Sequence, residues 1–309
     1  MKATNKTLIK IANTSWNDRI FVVVNSLIIT FFAVITLYPL IYILSASFSD
    51  PNAVASGKMI LWPVNASLRA YKYVLGYKEV WIGYANTILY TVLGTLMNLI
   101  ATVPYAYALS RKDLSGRKFF TILYMIPMYF GGGMVPAYLN IRDLGLLDTR
   151  MILMLAGLVT TYNLIIARTF FISTIPWELH EAAFMDGCND FRLLWKVVLP
   201  LSRPILVVLM LYYGVGHWNS YFNAMIYLRD RNKYPLQVFL KEILTQGQFN
   251  STIDGYMSAE EILEMTRLAD TANMVKYAII VVSTVPMVLV YPFLQKYFEK
   301  GAMIGSVKG

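Results

Sequence analysis

The chain has 309 residues, of which 57% are hydrophobic and 15% are charged, and its formal net charge is +9. A soluble globular domain carries about 25% charged residues, so this composition excludes a disordered chain and argues against an ordinary soluble enzyme. The single cysteine, Cys188, excludes an intramolecular disulfide. A charge of this size indicates either nucleic-acid binding or a membrane protein whose basic loops face the cytoplasm.

Six stretches are apolar over about the 20 residues that a helix needs to cross a bilayer. In chain order they are Phe21–Leu44, Ile82–Leu109, Phe119–Leu139, Met151–Phe171, Pro204–Leu228 and Met274–Leu294. The alternative is a set of buried helices in a soluble core, but such helices are seldom this long without a charge. Inside the stretches the charged residues are Arg168 and Lys276, both near an end where a long side chain reaches the interface. We predict an all-α integral membrane protein with six transmembrane helices.

The first and third stretches each have a second interpretation. The first follows several basic residues, as the core of a secretory signal does, but it is longer than the about 7–15 residues of such a core. We therefore favour an uncleaved span. The third contains the run Gly131, Gly132 and Gly133 between two prolines. We interpret this run as a helix break or a point of close packing, and a gate hinge is the alternative.

The basic residues predict the orientation in the membrane. An even number of spans puts both termini on one side, and placing that side in the cytoplasm makes segments 1–19, 110–118, 172–203 and 295–309 internal. These segments hold more Lys and Arg residues than the outer loops, as the rule for cytoplasmic loops requires. We therefore interpret the positive charge as membrane topology and expect no nucleic-acid partner.

Two long loops remain on the outer side. Loop 48–81 is rich in Trp and Tyr, and loop 229–273 is the longest, with a short helix predicted at Ala259–Asp270. Irregular backbone cannot be exposed to hydrocarbon, so these loops must fold outside the bilayer or against a partner. The resulting division is an N-terminal segment 1–19, a first span with its outer loop 20–81, a transmembrane domain 82–294 and a tail 295–309.

The most informative segment lies in the internal loop 172–203, where a short helix is predicted. Thr174 or Ser173 can cap its start, and Pro176 suits its first turn because the missing N–H would be unpaired there. Gly187 suits its end, since glycine readily adopts the left-handed conformation that ends many helices. Beyond this turn, Asn189 or Asp190 can cap a second helix, which we expect to end before Pro200.

One face of the first helix is unusually smooth. Leu179, Ala182, Ala183 and Asp186 fall at three- and four-residue spacings, which place them side by side on a helix. The two alanines allow a groove of another protein to approach the backbone, and Glu181 adds charge beside them. The pattern is typical of a docking helix, and a solvated amphipathic linker is the alternative.

A larger motif includes this helix: Glu181-Ala182-Ala183-x-x-Asp186-Gly187, then 11 residues, then Leu199-Pro200-x-x-x-Pro204. It resembles the EAA signature of the membrane subunits of ABC importers, with Cys188 where the family usually has Ala. In that family the loop is the coupling helix, which inserts into a groove of the ATP-hydrolysing subunit. The resemblance implies a type I importer transmembrane domain and assigns the coupling role to Glu181, Ala182, Ala183, Asp186 and Gly187.

The span number and the position of the loop are similar to the shorter permease of the maltose-type sugar importers. The tail 297–309 resembles that sugar group, and the run Gly131–Pro136 resembles a subgroup for aldouronates and complex oligosaccharides. The resemblance implies a permease in the bacterial cell membrane, itself no enzyme, that imports a carbohydrate by alternating access. The implied partners are a second homologous permease, an ATP-binding subunit dimer that holds ATP and magnesium, and an extracellular binding protein or lipoprotein. A non-sugar solute, or a secondary transporter, is the alternative.

Motifs for other chemistry are incomplete. The chain has no phosphate-binding Gly-x-x-x-x-Gly-Lys-Ser/Thr loop, so we expect it to bind neither ATP nor another cofactor itself. His180 and Glu181 begin a zinc-protease motif, but Phe184 stands where the second histidine is required. We therefore expect His180 to be a surface residue of the loop.

Polar residues inside the apolar stretches define a candidate translocation path, because such residues tend to face a pathway or a bundle interior. The candidates are Tyr162, Asn163, His217, Trp218, Asn219, Tyr221 and Asn223. Aromatic faces and amide groups are also what sugars commonly bind. Asn86 and Asn98 are further polar positions in the second stretch, and the alternative for each residue is a hydrogen bond between helices.

Overall fold

The computed structural model describes residues 16–246 and 273–290, together with Pro292. The described residues are almost wholly helical and include no strand. Helices suit such apolar stretches, because each helix satisfies its own backbone hydrogen bonds where water is absent. The helix predicted at Ala259–Asp270 and the C-terminal tail lie outside the described residues.

The described residues form a series of helices. In chain order they are α1 (Trp16–Phe48), α2 (Pro51–Ala55), α3 (Arg69–Gly76), α4 (Lys78–Ser110), α5 (Arg117–Tyr129), α6 (Met134–Asp143), α7 (Arg150–Leu155), α8 (Thr161–Thr174), α9 (Trp177–Met185), α10 (Asp190–Leu201), α11 (Arg203–Trp218), α12 (Phe222–Tyr227), α13 (Leu236–Gln246) and α14 (Asn273–Val290). A single 3-10 turn, Arg231–Lys233, precedes α13.

Three of the described helices, α1, α4 and α14, are each long and apolar enough to cross a membrane. Two bent pairs, α5 with α6 and α10 with α11, raise the number to five if each pair forms one span. The first and second predicted stretches are therefore confirmed as single long helices, and the sixth is one helix over its described part, up to Val290. The count of six spans stays a prediction.

The third predicted stretch breaks at its glycine run, and the axis of α6 is bent by 116° relative to that of α5. Gly133 has a φ of 86°, which favours glycine because a Cβ atom would be strained there. A Cβ on Gly131 or Gly132 would meet no atom within 4 Å. The run thus breaks the helix, and close packing at Gly131 and Gly132 does not explain it within the described chain.

The fourth predicted stretch, Met151–Phe171, is not one helix. Helices α7 and α8 are separated by a connection that contains Gly157, whose φ is 75°. The break leaves backbone carbonyls without helical hydrogen-bond donors. The side chain of Asn98 on α4 supplies the donor instead. Its Nδ2 donates to the carbonyls of Gly157 and Leu158 at 3.2 and 2.8 Å.

The fifth predicted stretch, Pro204–Leu228, is also shorter as a helix, because α11 ends at Trp218 and α12 is separate. The helix before it is longer than expected, since α10 runs through Pro200 to Leu201. A π-helical segment, Leu194–Val198, lies just before this proline. Such local adjustments satisfy backbone groups that a proline leaves free, so the prediction that α10 ends before Pro200 was wrong.

Residues 16–72 and 273–281 form one compact unit, and residues 73–246 and 282–290 form another. In the first unit, α1 is exposed along most of its length, as expected of a helix whose surroundings are lipid or a partner. The chain after α1 folds back on its end: the hydroxyls of Ser47 and Tyr71 are 2.7 Å apart, and the amide of Ser67 donates to the carbonyl of Phe48.

Helix α4 is the centre of the second unit and packs against α7, α8, α11 and α13. Buried apolar side chains gather in two places along it. The loop-end cluster, near Ser110, consists of Val103, Ala106, Tyr107, Leu109, Leu164, Ala167, Phe171, Ile175, Leu193, Leu194, Val198, Ile205, Leu209 and Tyr213. The far-end cluster consists of Tyr90, Ile152, Leu153, Met154, Ala224, Tyr227, Leu228 and Val238. The loop-end cluster supports the helices that carry the sequence motif.

Candidate docking and coupling site

Helix α9 begins one residue later than its sequence suggested. Pro176 is the N-cap, with extended backbone, and not a residue of the first turn. Thr174 is the last residue of α8, and the Ser173 hydroxyl donates back to the carbonyl of Phe170 at 3.1 Å. Neither residue therefore caps α9. Proline ends the preceding helix here, since it disfavours helical backbone at the residue before it.

The end of α9 is as predicted. Gly187 has a φ of 70°, in the left-handed region. Its amide donates to the carbonyl of Phe184 at 3.0 Å, and the amide of Cys188 donates to that of Ala183 at 2.9 Å. This pair of hydrogen bonds is the Schellman arrangement, which satisfies carbonyls that a helix end leaves free. Gly187 therefore sets the direction in which the chain leaves the helix.

The turn then passes directly into α10. Of the two predicted caps, Asn189 is the one used, because its Oδ1 accepts from the amide of Arg192 at 2.9 Å. Asp190 is instead the first residue of the helix, where a negative charge is favoured by the helix dipole. This leaves the Asp190 carboxylate available for another partner.

The signature residues do not share one face. Glu181, Ala182, Asp186 and Gly187 are exposed, whereas Ala183 is half-buried and packs with Leu179 against the loop-end cluster. The smooth face predicted for both alanines is thus divided between a surface side and a core side. One side of α9 therefore packs against its own subunit, and the opposite side is exposed to a partner.

Large apolar side chains surround the exposed signature residues. Met185 and Phe191 are 88% and 77% exposed, and Trp195 is 66% exposed. Exposed apolar groups beside charged ones are typical of a surface that another protein covers. Met185 and Phe191 were not among the predicted site residues. Their position as large apolar residues beside a docking motif is the sequence signal that points to them.

His180 is buried, so its prediction as a surface residue was wrong. Its ring lies nearly parallel to those of Tyr107 and Trp177, with centroids 5.9 and 5.1 Å away. Nδ1 is 3.3 Å from the carbonyl oxygen of Pro176, within reach of a hydrogen bond. His180 therefore packs α9 against α4, a role that the sequence could not show because Tyr107 is distant along the chain.

Arg111 follows the last residue of α4 and joins two acidic residues. Its guanidinium forms ion pairs with Asp113 and with Asp190 at the start of α10. Hydrogen bonds from Arg111 hold the pKa of the Asp113 carboxyl below its ordinary value, and those with Asp113 and Asp190 raise the pKa of Arg111. A cavity of about 350 Å³ lies beside this group, lined by residues that include Phe191 and Leu194.

Three candidates for the translocation path make hydrogen bonds within the fold, although Asn219 among them stays exposed. The Nε2 atom of His217 is 2.6 Å from Oδ1 of Asn98, and the indole of buried Trp218 donates to the carbonyl of Ser283 at 3.0 Å. Asn219 donates from its Nδ2 to the carbonyl of Val215 at 3.1 Å, at the end of α11. These bonds favour the alternative of structural hydrogen bonding.

The other candidates are spread over several helices. Tyr162 is exposed on α8, beside Tyr212, while its neighbour Asn163 is buried. Tyr221 is exposed next to Lys241, and Asn223 is half-buried on α12. In the described part of the chain, no hydrogen bond or ring contact joins the two α8 candidates to the candidates at or after the end of α11.

A cavity of about 520 Å³ lies between α4, α11 and α14. Trp218 is part of its wall, but most of the wall is apolar, including Leu96, Met210 and Val290. Its polar groups are few, among them the hydroxyls of Thr91 and Thr95, whereas a sugar requires many hydrogen-bonding groups. The described residues of this chain therefore do not by themselves form a polar binding pocket at this level.

The far end of α4 is held by polar groups that the sequence analysis largely missed. Nδ2 of Asn86 donates to the carbonyls of Asn232 and Tyr234 at 2.7 and 3.0 Å. Asp148, which has a φ of 53°, accepts from the amides of Arg229 and of the residue after it at 3.1 and 3.2 Å. These backbone hydrogen bonds lower the pKa of the Asp148 carboxyl.

Long apolar helices and a helix–turn–helix with an exposed apolar and acidic surface define a helical membrane protein. Residues 80–303 match the family described as "Binding-protein-dependent transport system inner membrane component". The chain belongs to this family and is thus an ABC importer permease, a transporter subunit and not an enzyme, located in the membrane.

Several known proteins resemble most of the chain. The polygalacturonan/rhamnogalacturonan transport system permease protein YtcP of Bacillus subtilis is 40% identical over 90% of this chain and 94% of its own length. Protein LplC of the same organism is 38% identical, over 94% and 96%. A chain in the crystal structure of a bacterial ABC transporter involved in the import of the acidic polysaccharide alginate matches with a TM-score of 0.79. It is 42% identical, over 92% of this chain and 99% of that one.

Proposed function

We propose that this permease imports a carbohydrate, specifically an oligosaccharide, by ATP-driven alternating access. The observation that carries the proposal is the likeness to a chain of the alginate importer, which covers nearly the whole molecule. Relatives named for polygalacturonan, rhamnogalacturonan and arabinooligosaccharide transport add support. A non-sugar solute is the alternative, and the described structure contains no feature that favours it.

The proposed topology has six spans and both termini in the cytoplasm. It is supported by the long described helices α1, α4 and α14, and by the basic residues of segment 110–118 beside the end of α4. In this arrangement the loop 172–203 is cytoplasmic, and the far end of α4 faces outward. Segment 1–19, the first span with its loop 20–81, the domain 82–294 and the tail 295–309 then keep their predicted positions.

The proposed coupling site is the exposed side of α9 with the turn that follows it. Glu181, Ala182, Asp186 and Gly187 offer charge, a smooth backbone and a fixed exit direction, while Ala183 lets α9 approach its own core. The partner is an ATP-binding subunit dimer, which holds ATP and magnesium itself. Exposed Met185 and Phe191 extend the surface that such a subunit would cover.

The remaining partners are a second homologous permease and an extracellular binding protein or lipoprotein. The nearly unburied α1 supports a neighbouring subunit or lipid around the described chain. ATP binding closes the ATPase dimer, α9 moves with it, and the permease pair changes from inward-facing to outward-facing. Each ligand acts by stabilising one of the two states.

The proposed path uses the polar candidates that the packing leaves accessible. These are Tyr162, Asn219, Tyr221 and Asn223. Asn163, His217 and Trp218 contribute by holding helices together around it. Because the cavity between α4, α11 and α14 is mostly apolar, we propose that the second permease supplies much of the direct sugar contact.

The substrate class is tested with the complete importer reconstituted in liposomes. ATP hydrolysis is measured with the binding protein and oligosaccharides of galacturonan, rhamnogalacturonan, alginate or arabinan, and with amino acids and dipeptides as non-sugar probes. We expect at least one oligosaccharide to stimulate hydrolysis and to be taken up. Stimulation by a non-sugar probe alone would contradict the proposal.

The coupling site is tested with Glu181→Ala, because this exposed carboxylate lies outside the core of the permease. We expect the importer to assemble but to lose about tenfold in uptake, as is usual for a buried charged contact at a protein interface. The matched control is Glu178→Ala, an exposed glutamate one turn earlier on α9. Equal uptake by both variants would remove Glu181 from the coupling site.

A further inference from the structure

Arg111 lies at a junction of three elements. It is the residue at which α4 ends, and its own carbonyl accepts from Nη1 of Arg117 at 3.3 Å, so its backbone is fixed to the start of α5. Its side chain reaches away from α4 toward the turn between α9 and α10. Although it is a long cationic side chain, it is only 11% exposed.

The guanidinium uses several of its donors at this junction. Nε donates to Oδ1 of Asp113 at 2.8 Å, Nη2 pairs with the other oxygen of the same carboxylate, and Nη1 pairs with Asp190. Two parallel bonds from one arginine to one carboxylate fix the plane of the guanidinium as well as its position. The third nitrogen, Nη1, takes no part in the bonds to Asp113 and pairs with Asp190 alone.

The ring of Phe184 completes the contact. The guanidinium carbon is 5.3 Å from the centroid of this ring, on the last turn of α9, which is within the range of a cation–π interaction. Arg111 thus touches both helices of the coupling loop, α9 through Phe184 and α10 through Asp190. Both residues lie more than seventy positions away in the sequence, whereas Asp113 is local to Arg111.

The bonds of Arg111 with Asp113 and with Asp190 have different consequences. The bond with Asp113 stays within the segment between α4 and α5, so it cannot pass a displacement of the loop to another element. The bond with Asp190 connects separate elements, and the Asp190 carboxylate is otherwise 64% exposed. A charge-assisted bond with one largely buried partner, here the Arg111 side chain, resists separation more than a fully exposed ion pair does.

We propose that Arg111 is a positioning residue that ties the turn between α9 and α10 to the end of α4. Through it, displacement of the coupling loop by the ATPase is transmitted to the long helix at the centre of the second unit. The proposal rests on the proposed coupling function of the loop. It adds a residue outside the EAA-like motif and a direction of transmission, from Asp190 to Arg111 to α4.

The single native cysteine provides a local probe for the first test. Cys188 is half-buried in the turn, two residues before Asp190, and packs partly against the loop-end cluster. The rate of maleimide labelling of this chain is measured in membranes that contain the assembled importer without substrate. We expect Asp190→Asn to raise the rate about fivefold, because an opened turn exposes the thiol more often. Asp113→Asn, which leaves the bond to Asp190 in place, should stay within about twofold of wild type.

A double-mutant cycle tests whether Arg111 and Asp190 act through one shared bond or whether each substitution loosens the turn independently. Arg111→Gln alone should raise the labelling rate at least as much as Asp190→Asn, and the double variant should add little, because both remove the same bond. Independent, multiplying effects would overturn the proposal. If Arg111→Gln does not assemble, Asp190→Asn still provides the test, since its side chain is exposed and its removal leaves the core intact.

The second readout is the number of ATP molecules hydrolysed per substrate imported, with the oligosaccharide that stimulates wild type most. We expect Asp190→Asn to raise this ratio about fivefold with unchanged basal hydrolysis, whereas a purely structural defect would lower uptake and hydrolysis together. A wild-type ratio in Asp190→Asn, or an equal rise in Asp113→Asn, would overturn the proposal. Failure of the proposed function is distinguishable, because wild type itself would then show no stimulated uptake.

Discussion

The two ends of α4 are held in different ways. At the loop end, the long helix meets α8, α9, α10 and α11 through a large apolar cluster, accompanied by the ion pairs of Arg111 and a hydrogen bond from Nε of Arg168 to the carbonyl of Leu109. At the far end, side chains such as Asn86 and Asp148 bind backbone groups of neighbouring connections. The loop end leaves large apolar groups uncovered, among them Met185 and Phe191.

From this difference we expect the far end to be the more rigid of the two. A hydrogen bond to a backbone carbonyl fixes the course of a chain segment, because the backbone cannot rotate away without losing other bonds. An apolar contact is non-directional and tolerates a small displacement. The far end is therefore suited to hold the neighbouring connections still, and the loop end to move with a partner while remaining attached.

The largest expected effect comes from a substitution at Gly94, in the middle of α4. A Cβ on Gly94 would lie 2.6 Å from Cε1 of His217, so Gly94→Ala must displace this ring from Asn98. Packing should weaken at both ends of α4. Overpacking and a broken buried hydrogen bond should together lower the free energy of unfolding by about 2–3 kcal/mol. The thermal stability and yield of the assembled importer measure this loss.

Gly216→Ala is the matched control, because a Cβ at this position on α11 would meet nothing within 4 Å. We expect it to leave stability unchanged or to raise it by up to about 1 kcal/mol, since alanine favours helix more than glycine does. If Gly94→Ala were as stable as Gly216→Ala, the close approach of α4 and α11 would not be needed.

A change at His180 should affect the loop end alone. His180→Ala removes the ring that packs between Tyr107 and Trp177, and we expect α9 to be destabilised by about 2 kcal/mol. Hydrogen exchange of α9 and α10 should become faster, while exchange around Asp148 stays as in wild type. His180→Phe keeps an aromatic ring and should lose less. Faster exchange at both ends would show that they are not independent.

The smallest effect is expected at the far end, in acid. Because backbone hydrogen bonds lower the folded-state pKa of Asp148, its stabilisation is fully present above the ordinary carboxyl pKa of about 3.9 and is lost as the pH falls through the lowered value. Wild type should therefore melt higher than Asp148→Asn at pH 6, and the difference should shrink toward pH 3.

Asp143→Asn is the control for this acid dependence, because Asp143 is exposed and pairs with its exposed neighbour Arg142. An exposed ion pair contributes little, so this variant should melt like wild type throughout the range. A difference between wild type and Asp148→Asn that grew with acidity would contradict the assigned direction of the pKa shift.

Local features of the coupling loop could be read from the sequence. The left-handed turn at Gly187 and the cap at Asn189 follow from the preferences of a few adjacent residues, and both are present. The long apolar stretches that became α1, α4 and α14 were equally evident, because hydrophobicity over about 20 residues needs no knowledge of neighbours. The resemblance of the surrounding motif to the EAA signature, and not these features alone, indicated an ABC importer permease.

The interruptions of the apolar stretches could not be read in the same way. An apolar composition fits one helix or two, and only the side chain of Asn98 from another helix makes the break at Gly157 acceptable. The burial of His180 and the place of Arg111 depend equally on residues far away in the chain. The pairing of side chains on different helices sets these features.

The sequence by itself therefore determined the long membrane helices and the form of the turn that carries the motif, because both depend on the physical chemistry of neighbouring residues. The class of protein followed from the resemblance of that motif to a known signature. Only the tertiary structure decided which groups hold each end of α4. Those groups lie far apart in the chain, and helix packing alone brings them together.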